Sequence, residues 1–117
     1  MSYSENTSEE LPECQQTVAN FVAEHGIEAP VQARLLDLSS EVGELSKEYL
    51  KSTDYGRKPF EKPPDDWQDE LGDVLFSLVC LANGTGVNLE TALQRALDKY
   101  EDRLRHGGDA GSGGRDG

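Results

Sequence analysis

The sequence predicts an all-α fold of four to five helices, completed as a bundle by homo-oligomerisation. Three observations predict it. Few β-branched clusters occur, and no stretch alternates apolar with polar residues as a half-buried strand would. Four segments instead carry helical apolar spacing between proline and glycine breakers. One of them, residues 74–82 (VLFSLVCLA), is apolar around nearly its whole circumference. A helix without a polar side is covered on all sides. A chain of 117 residues with four helices can hardly do that alone, so a second copy is expected to cover it.

The first helix is read from about 11 to 25, with Pro12 in its first turn, Gly26 as its stop, and Val18, Phe21 and Val22 as its stripe. The second begins near Pro30 and ends near Lys51. Its stripe is Val31, Leu35, Leu38, Val42, Leu45 and Tyr49, a 4-3-4-3-4 spacing. Residues 52–64 hold Gly56, Pro59, Pro63 and Pro64, which exclude a continuous helix. A connector this long in a small domain points to a role in function. The third helix runs from about 65 or 66 to 83, with Asp65 and Asp66 at its positive end. The fourth starts from an Asn88 cap and reaches about 105, with Leu89, Ala92, Leu93, Ala96, Leu97, Tyr100 and Leu104 apolar. The domain is therefore expected at 10–106, between a flexible N-terminus (1–9) and a flexible Gly-rich tail (107–117).

Charge narrows the function. Asp and Glu total 23 against 11 Lys and Arg, a net charge of −12. Phosphate backbones are bound by clustered cations that release counterions, so no nucleic-acid partner is expected. No apolar run approaches the roughly 20 residues of a membrane span, so no membrane partner is expected either. The first ten residues lack the apolar core of a signal peptide. Cys14 and Cys80 form no CxxC and no disulfide framework, and read as reduced thiols in a cytoplasmic protein.

The chemistry sits in two acidic pairs, Glu41-Val42-Gly43-Glu44 and Glu70-Leu71-Gly72-Asp73. Members at i and i+3 point the same way from a helix. At about 100° per residue, Glu41 lies roughly 60° and Glu44 roughly 120° to one side of Leu38, flanking the apolar stripe. Glu70 and Asp73 lie roughly 100° and 160° from Leu71. If the two helices pack antiparallel, four carboxylates converge at the edge of the core. Converging anions repel unless a cation sits among them. Hard divalent ions with oxygen ligands fit, Mg²⁺ above all where phosphates complete the shell. Gly43 and Gly72, helix-interior glycines placed alike between the acids, suggest close approach of a neighbouring helix or a ligand. From spacing alone, solvated surface charge competes with a metal site, and Asp37, Glu48 and Asp69 are read as surface.

LSSEVGELSKE, followed after about two dozen residues by DELGDVLFSLVCLANGTGVNLETAL, resembles the MazG-type nucleotide pyrophosphohydrolases of the all-α NTP pyrophosphatase superfamily. The resemblance covers roughly residues 30–105. The family pattern is EExxE followed by ExxD. Glu41, Glu44, Glu70 and Asp73 match its metal positions, while Ser40 stands where the pattern has its first Glu. The resemblance implies Mg²⁺-dependent hydrolysis of a (d)NTP to the (d)NMP and pyrophosphate, with Mn²⁺ as a substitute ion. A nucleotide-pool house-cleaning role goes with it. Glu41 and Glu44 are the expected catalytic carboxylates, Glu41 accepting the proton of the attacking water.

Lys99 and Arg103, spaced i, i+4 on the last helix, resemble the Lys and Arg that end this helix in the family. They are candidate phosphate contacts, with plain helix-end charge as the other reading. Lys51, Arg57 and Lys58 are further cationic candidates. Trp67 and Tyr55 are candidates to stack on a base, core packing being the stronger role for Trp67, and Asn83 is a candidate to read a base or sugar. His25 and His106 read as helix-end residues. Two other functions fit the same chain: a phosphoribosyl-ATP pyrophosphohydrolase, or a non-enzymatic acidic helical oligomer acting as a binding module. The partner expected throughout is the chain itself, as a homodimer or homotetramer.

Overall fold

The computed structural model describes residues 10–107. The expectations for 1–9 and for the tail beyond Gly107 lie outside the described residues. Four helices appear, and no strand among the described residues: α1 (Glu13–His25), α2 (Val31–Ser52), α3 (Trp67–Gly84) and α4 (Leu89–Arg105). Local chemistry sets their ends. Gly26 leaves α1 in the left-handed region (φ 62°), where an L side chain would be strained; its N–H bonds back to the Ala23 carbonyl and the Ile27 N–H to the Val22 carbonyl. Asn88 caps α4, its side chain accepting the Thr91 N–H at 3.1 Å.

The α2 and α3 helices form the main packed pair, and α1 packs against α3. Besides Ala33, the half-buried positions of α2 form a ridge of Arg34, Leu38, Glu41, Leu45, Glu48 and Ser52. This keeps the expected 4-3-4-3-4 spacing but corrects its phase. Val31, Leu35, Val42 and Tyr49, read as the packed face, are 41–53% exposed. In α3, Ser77, Val79, Cys80 and Ala82 are buried, while Leu71, Leu75 and Leu78 face solvent at 45%, 51% and 37%. The apolar segment is thus covered on one side only by its own chain.

One fully buried polar residue gave no sign of burial in the sequence. Gln15 of α1 is 1% exposed. Its Nε2 donates to the Asn83 side-chain oxygen (2.9 Å) and to the Val87 carbonyl (2.8 Å), and its Oε1 accepts the Leu89 N–H (2.7 Å). The Asn83 amide nitrogen donates back to the Gln15 carbonyl at 3.1 Å. With every polar atom satisfied, burial is tolerated, and α1 is clasped to the α3–α4 junction. Beyond that junction the chain turns by 102°, and α4 makes at most marginal contact with the other helices. The radius of gyration is accordingly 17.6 Å, against about 13 Å for a self-contained chain of 100 residues. Among the described residues, no single helix is long and apolar enough to cross a membrane.

Candidate functional site

The ridge where α2 faces α3 is acidic. Carboxylate oxygens of Glu41, Glu70 and Asp73 lie within 4.8 Å of one another, and so do those of Glu48, Asp66 and Glu70. Glu41 meets Asp73 while Glu48 meets Asp66, so the two helices run antiparallel, and Glu70 belongs to both groups. The spacing explains the convergence. Glu41 and Glu48 are two turns apart on one face of α2, and Asp66, Glu70 and Asp73 follow at i, i+4 and i+7 at the start of α3.

Partial burial pushes the Glu70 carboxyl above its ordinary value, and the neighbouring carboxylates of Asp73, Asp66, Glu44 and Glu48 push it further. Five acids thus share one electrostatic neighbourhood. A cation among them would relieve the repulsion. The donor set fits a hard ion: all five residues are carboxylates, with no His or Cys. Opposite ligands of octahedral Mg²⁺ stand about 4.2 Å apart, close to the spread of each group.

The expected residues distribute unevenly over this site. Glu41, Glu70 and Asp73 are brought together. Glu44 is exposed and stands in neither three-member group, although its charge reaches Glu70. Glu48, read from sequence as surface charge, is half-buried and joins the second group, as does Asp66, read as a helix-end residue. The signal for Glu48 was its seven-residue spacing from Glu41. Gly43 and Gly72 also need correction. A Cβ built on either would meet nothing within 4 Å, so no neighbouring helix of this chain approaches them. Ser40 is exposed beside Glu41.

The candidate substrate contacts lie off the ridge or are engaged. Lys51 pairs with Glu48 at 3.5 Å. Asn83, clasped to Gln15, borders a separate apolar pocket of about 220 Å³ lined also by Ala19, Val22, Arg34 and Cys80. Trp67 packs on Phe60, which packs on Tyr49, with ring centroids 5.2 Å apart in both pairs. Tyr55 is 68% exposed. Lys99 and Arg103 sit over the Tyr100 ring of α4, at 5.3 and 5.9 Å, on the helix that stands away from the ridge. Both histidines lie at helix ends: His25 rests on Phe21, ring centroids 4.4 Å apart, and His106 lies 3.5 Å from Asp102. Cys14 and Cys80 are free thiols, and burial pushes the Cys80 thiol up.

The model of the MazG nucleotide pyrophosphohydrolase domain matches residues 30–108. YpjD of Bacillus subtilis (strain 168) is 42% identical over 73 residues, 61% of this chain and 64% of that protein. The nucleoside triphosphate pyrophosphohydrolase of Escherichia coli (strain K12) is 47% identical over 38 residues, 32% of this chain and 14% of the enzyme. The aligned part is thus under two thirds of these relatives' length, and a small part of the second. Among solved structures, a Bacillus-conserved MazG protein described as a nucleotide pyrophosphohydrolase superposes with a TM-score of 0.64 at 28% identity, covering 79% of this chain and 89% of that one. The Bacillus subtilis YpjD structure superposes with a TM-score of 0.63 at 31% identity, covering 81% and 96%.

Proposed function

This chain belongs to the MazG nucleotide pyrophosphohydrolase domain family, and from that premise we propose that it is a Mg²⁺-dependent nucleoside triphosphate pyrophosphohydrolase. It cleaves a (d)NTP to the (d)NMP and pyrophosphate, in the service of nucleotide-pool house-cleaning. The observation that carries the reading is Glu70, shared by two groups of three carboxylates along the α2–α3 ridge. Mg²⁺, or Mn²⁺ in its place, supplies when bound the charge that draws in the phosphate chain and the Lewis acidity that makes water nucleophilic near neutral pH.

The chain's own residues do the rest. Glu41, Glu70 and Asp73 hold one end of the site, and Glu48, Asp66 and Glu70 the other. Glu44, exposed at the margin and outside both groups, is placed to orient water or to complete the ion's outer ligands. Water adds to the α-phosphorus, the bond to the α–β bridging oxygen breaks, and the proton of the water passes to Glu41. The bridging oxygen leaves as part of pyrophosphate.

The oligomer belongs to the same proposal. Leu71, Leu75 and Leu78 of α3 and Leu93, Leu97 and Leu104 of α4 leave two apolar stripes open. Among the described residues, the buried apolar side chains of one chain are Val79, Cys80 and Ala82. A second copy laid on these stripes supplies the missing burial, and its α4 carries Lys99 and Arg103 toward a ridge that α4 of the same chain does not cover.

The test is pyrophosphate release from each dNTP and NTP, and from phosphoribosyl-ATP, with Mg²⁺ and with excess chelator. Release from nucleoside triphosphates that disappears with chelator is expected. No release from any nucleotide, or release indifferent to chelator, overturns the proposal.

A further inference from the structure

The connector between α2 and α3 is ordered from both ends. Thr53 is fully buried, its hydroxyl accepting the Gly56 N–H at 3.0 Å and its carbonyl accepting the Lys58 N–H at 2.9 Å. Asp54 and Tyr55 both adopt left-handed backbone (φ 52° and 58°), an uncommon conformation for side-chain-bearing residues, held by Tyr55 N–H to the Leu50 carbonyl at 2.7 Å. Further along, Phe60 is wedged between Tyr49 of α2 and Trp67 of α3. Its neighbours on either side then face the other way. Arg57, Lys58 and Lys62 line an open cleft of about 590 Å³, with Glu61 and Asp65 as its acids.

Three of the chain's 11 cations thus fall within six residues of a protein of net charge −12. Arg57 is steadied by Asp54 at 3.3 Å. Lys58 and Lys62 are in no ion pair among the described residues, so their charge is available to a ligand. The cleft adjoins one end of the acidic ridge and not the other. Ser52 on its wall is one turn beyond Glu48, and Asp65 precedes Asp66. The Glu41–Asp73 end lies two turns beyond Glu48, about 10 Å further along α2.

We propose that this cleft seats the terminal phosphates, so that the substrate lies with its pyrophosphate half over Arg57, Lys58 and Lys62 and its nucleoside half beyond Glu41 and Asp73. The assignment rests on the pyrophosphohydrolase reading and adds a direction to it. The β and γ phosphates carry most of the negative charge of a triphosphate, and the cationic end of the site is where that charge is best compensated. After cleavage, the same side chains hold pyrophosphate until it departs.

The experiment is calorimetric titration of the full chain with pyrophosphate and, separately, with a nucleoside monophosphate, both with Mg²⁺ present. Parent, Lys58→Gln/Lys62→Gln, Lys58→Arg/Lys62→Arg and the remote control Arg105→Gln are compared, with melting temperatures to show that each is folded. The Gln pair is expected to bind pyrophosphate on the order of 10-fold more weakly, with monophosphate affinity unchanged. The Arg pair and the control should match the parent. Equal pyrophosphate affinity in parent and Gln pair, no pyrophosphate binding by the parent, or a larger loss for the monophosphate overturns the assignment. Because binding is read without turnover, a parent that releases no pyrophosphate from triphosphates would sink the enzymatic reading and leave the cleft separately judged.

Discussion

Helices α2 and α3 meet along a ridge on which Glu41, Glu48 and Glu70 are half-buried, held at close quarters by packing within one chain. Helix α4 is the most strongly amphipathic of the four and is capped at Asn88, yet Leu93, Leu97 and Leu104 are 49–59% exposed. The first region spends apolar contact on confining like charges. The second has apolar surface and nothing of its own chain to put it against. The contrast separates what one chain can build, the carboxylate ridge, from what it leaves unfinished, the core around α3 and α4. The acids of the ridge and the open apolar face of α4 thus lie on different helices, and can be broken separately.

The largest effect is expected at the residue both acidic groups share. Glu70→Gln should lower pyrophosphate release on the order of 100-fold or more, with the helical content retained, whereas Glu44→Gln, outside both groups, should lose less. Equal losses would mean that the ridge is not organised around Glu70. On the other side of the contrast, Leu97→Asp should turn the assembly into monomers by light scattering and abolish turnover. If α4 is ordinary solvent-facing surface, the variant should instead stay within about 0.5 kcal/mol of the parent.

Between the regions stands the clasp. Gln15→Ala strips partners from buried groups at Asn83, Val87 and Leu89 and should cost about 1–3 kcal/mol in denaturant unfolding. Nucleotide affinity should move little, because Asn83 is turned to Gln15 and away from the ridge.

A weaker effect follows from Glu70's raised carboxyl. A carboxyl whose folded value exceeds its unfolded one contributes most below the unfolded value, and that contribution is lost as pH rises through the folded value. Metal-free protein should therefore gain stability as pH falls toward the ordinary carboxyl value of 4.5, and Mg²⁺ should flatten the trend. Glu70→Gln should flatten it as well, in thermal melts across that range. Smallest is Gly43→Ala, where the added methyl meets nothing in its own chain. Stability should rise by up to about 1 kcal/mol. A fall in activity alongside would show that a second copy or the substrate uses the space.

Much of this was legible in the residues because it is local. Gly26, Asn88 and the prolines end helices by chemistry that acts over a turn, and all four helices end within two residues of where that chemistry placed them. The acid pairs were equally plain. What escaped depends on contacts between distant segments. On α2 the apolar spacing was right but its phase was not, since Leu35 and Val42 look like core until the position of α3 is known. Glu48 and Asp66 become site residues only once α3 folds back antiparallel. Gln15, a polar side chain in a short helix, gave no sign of burial because its partners lie 68 to 74 residues away.

That separation has a kinetic side. Bringing Gln15 to Asn83 and Leu89 closes a loop with sequence separations of 68 and 74 residues, an entropic cost that must be met before the bonds repay it. Helices α2 and α3 are neighbours in sequence, so their pairing closes a much smaller loop. The launch angle of the last helix is therefore expected to settle after the acidic ridge, and assembly that depends on that helix to follow the docking of the first.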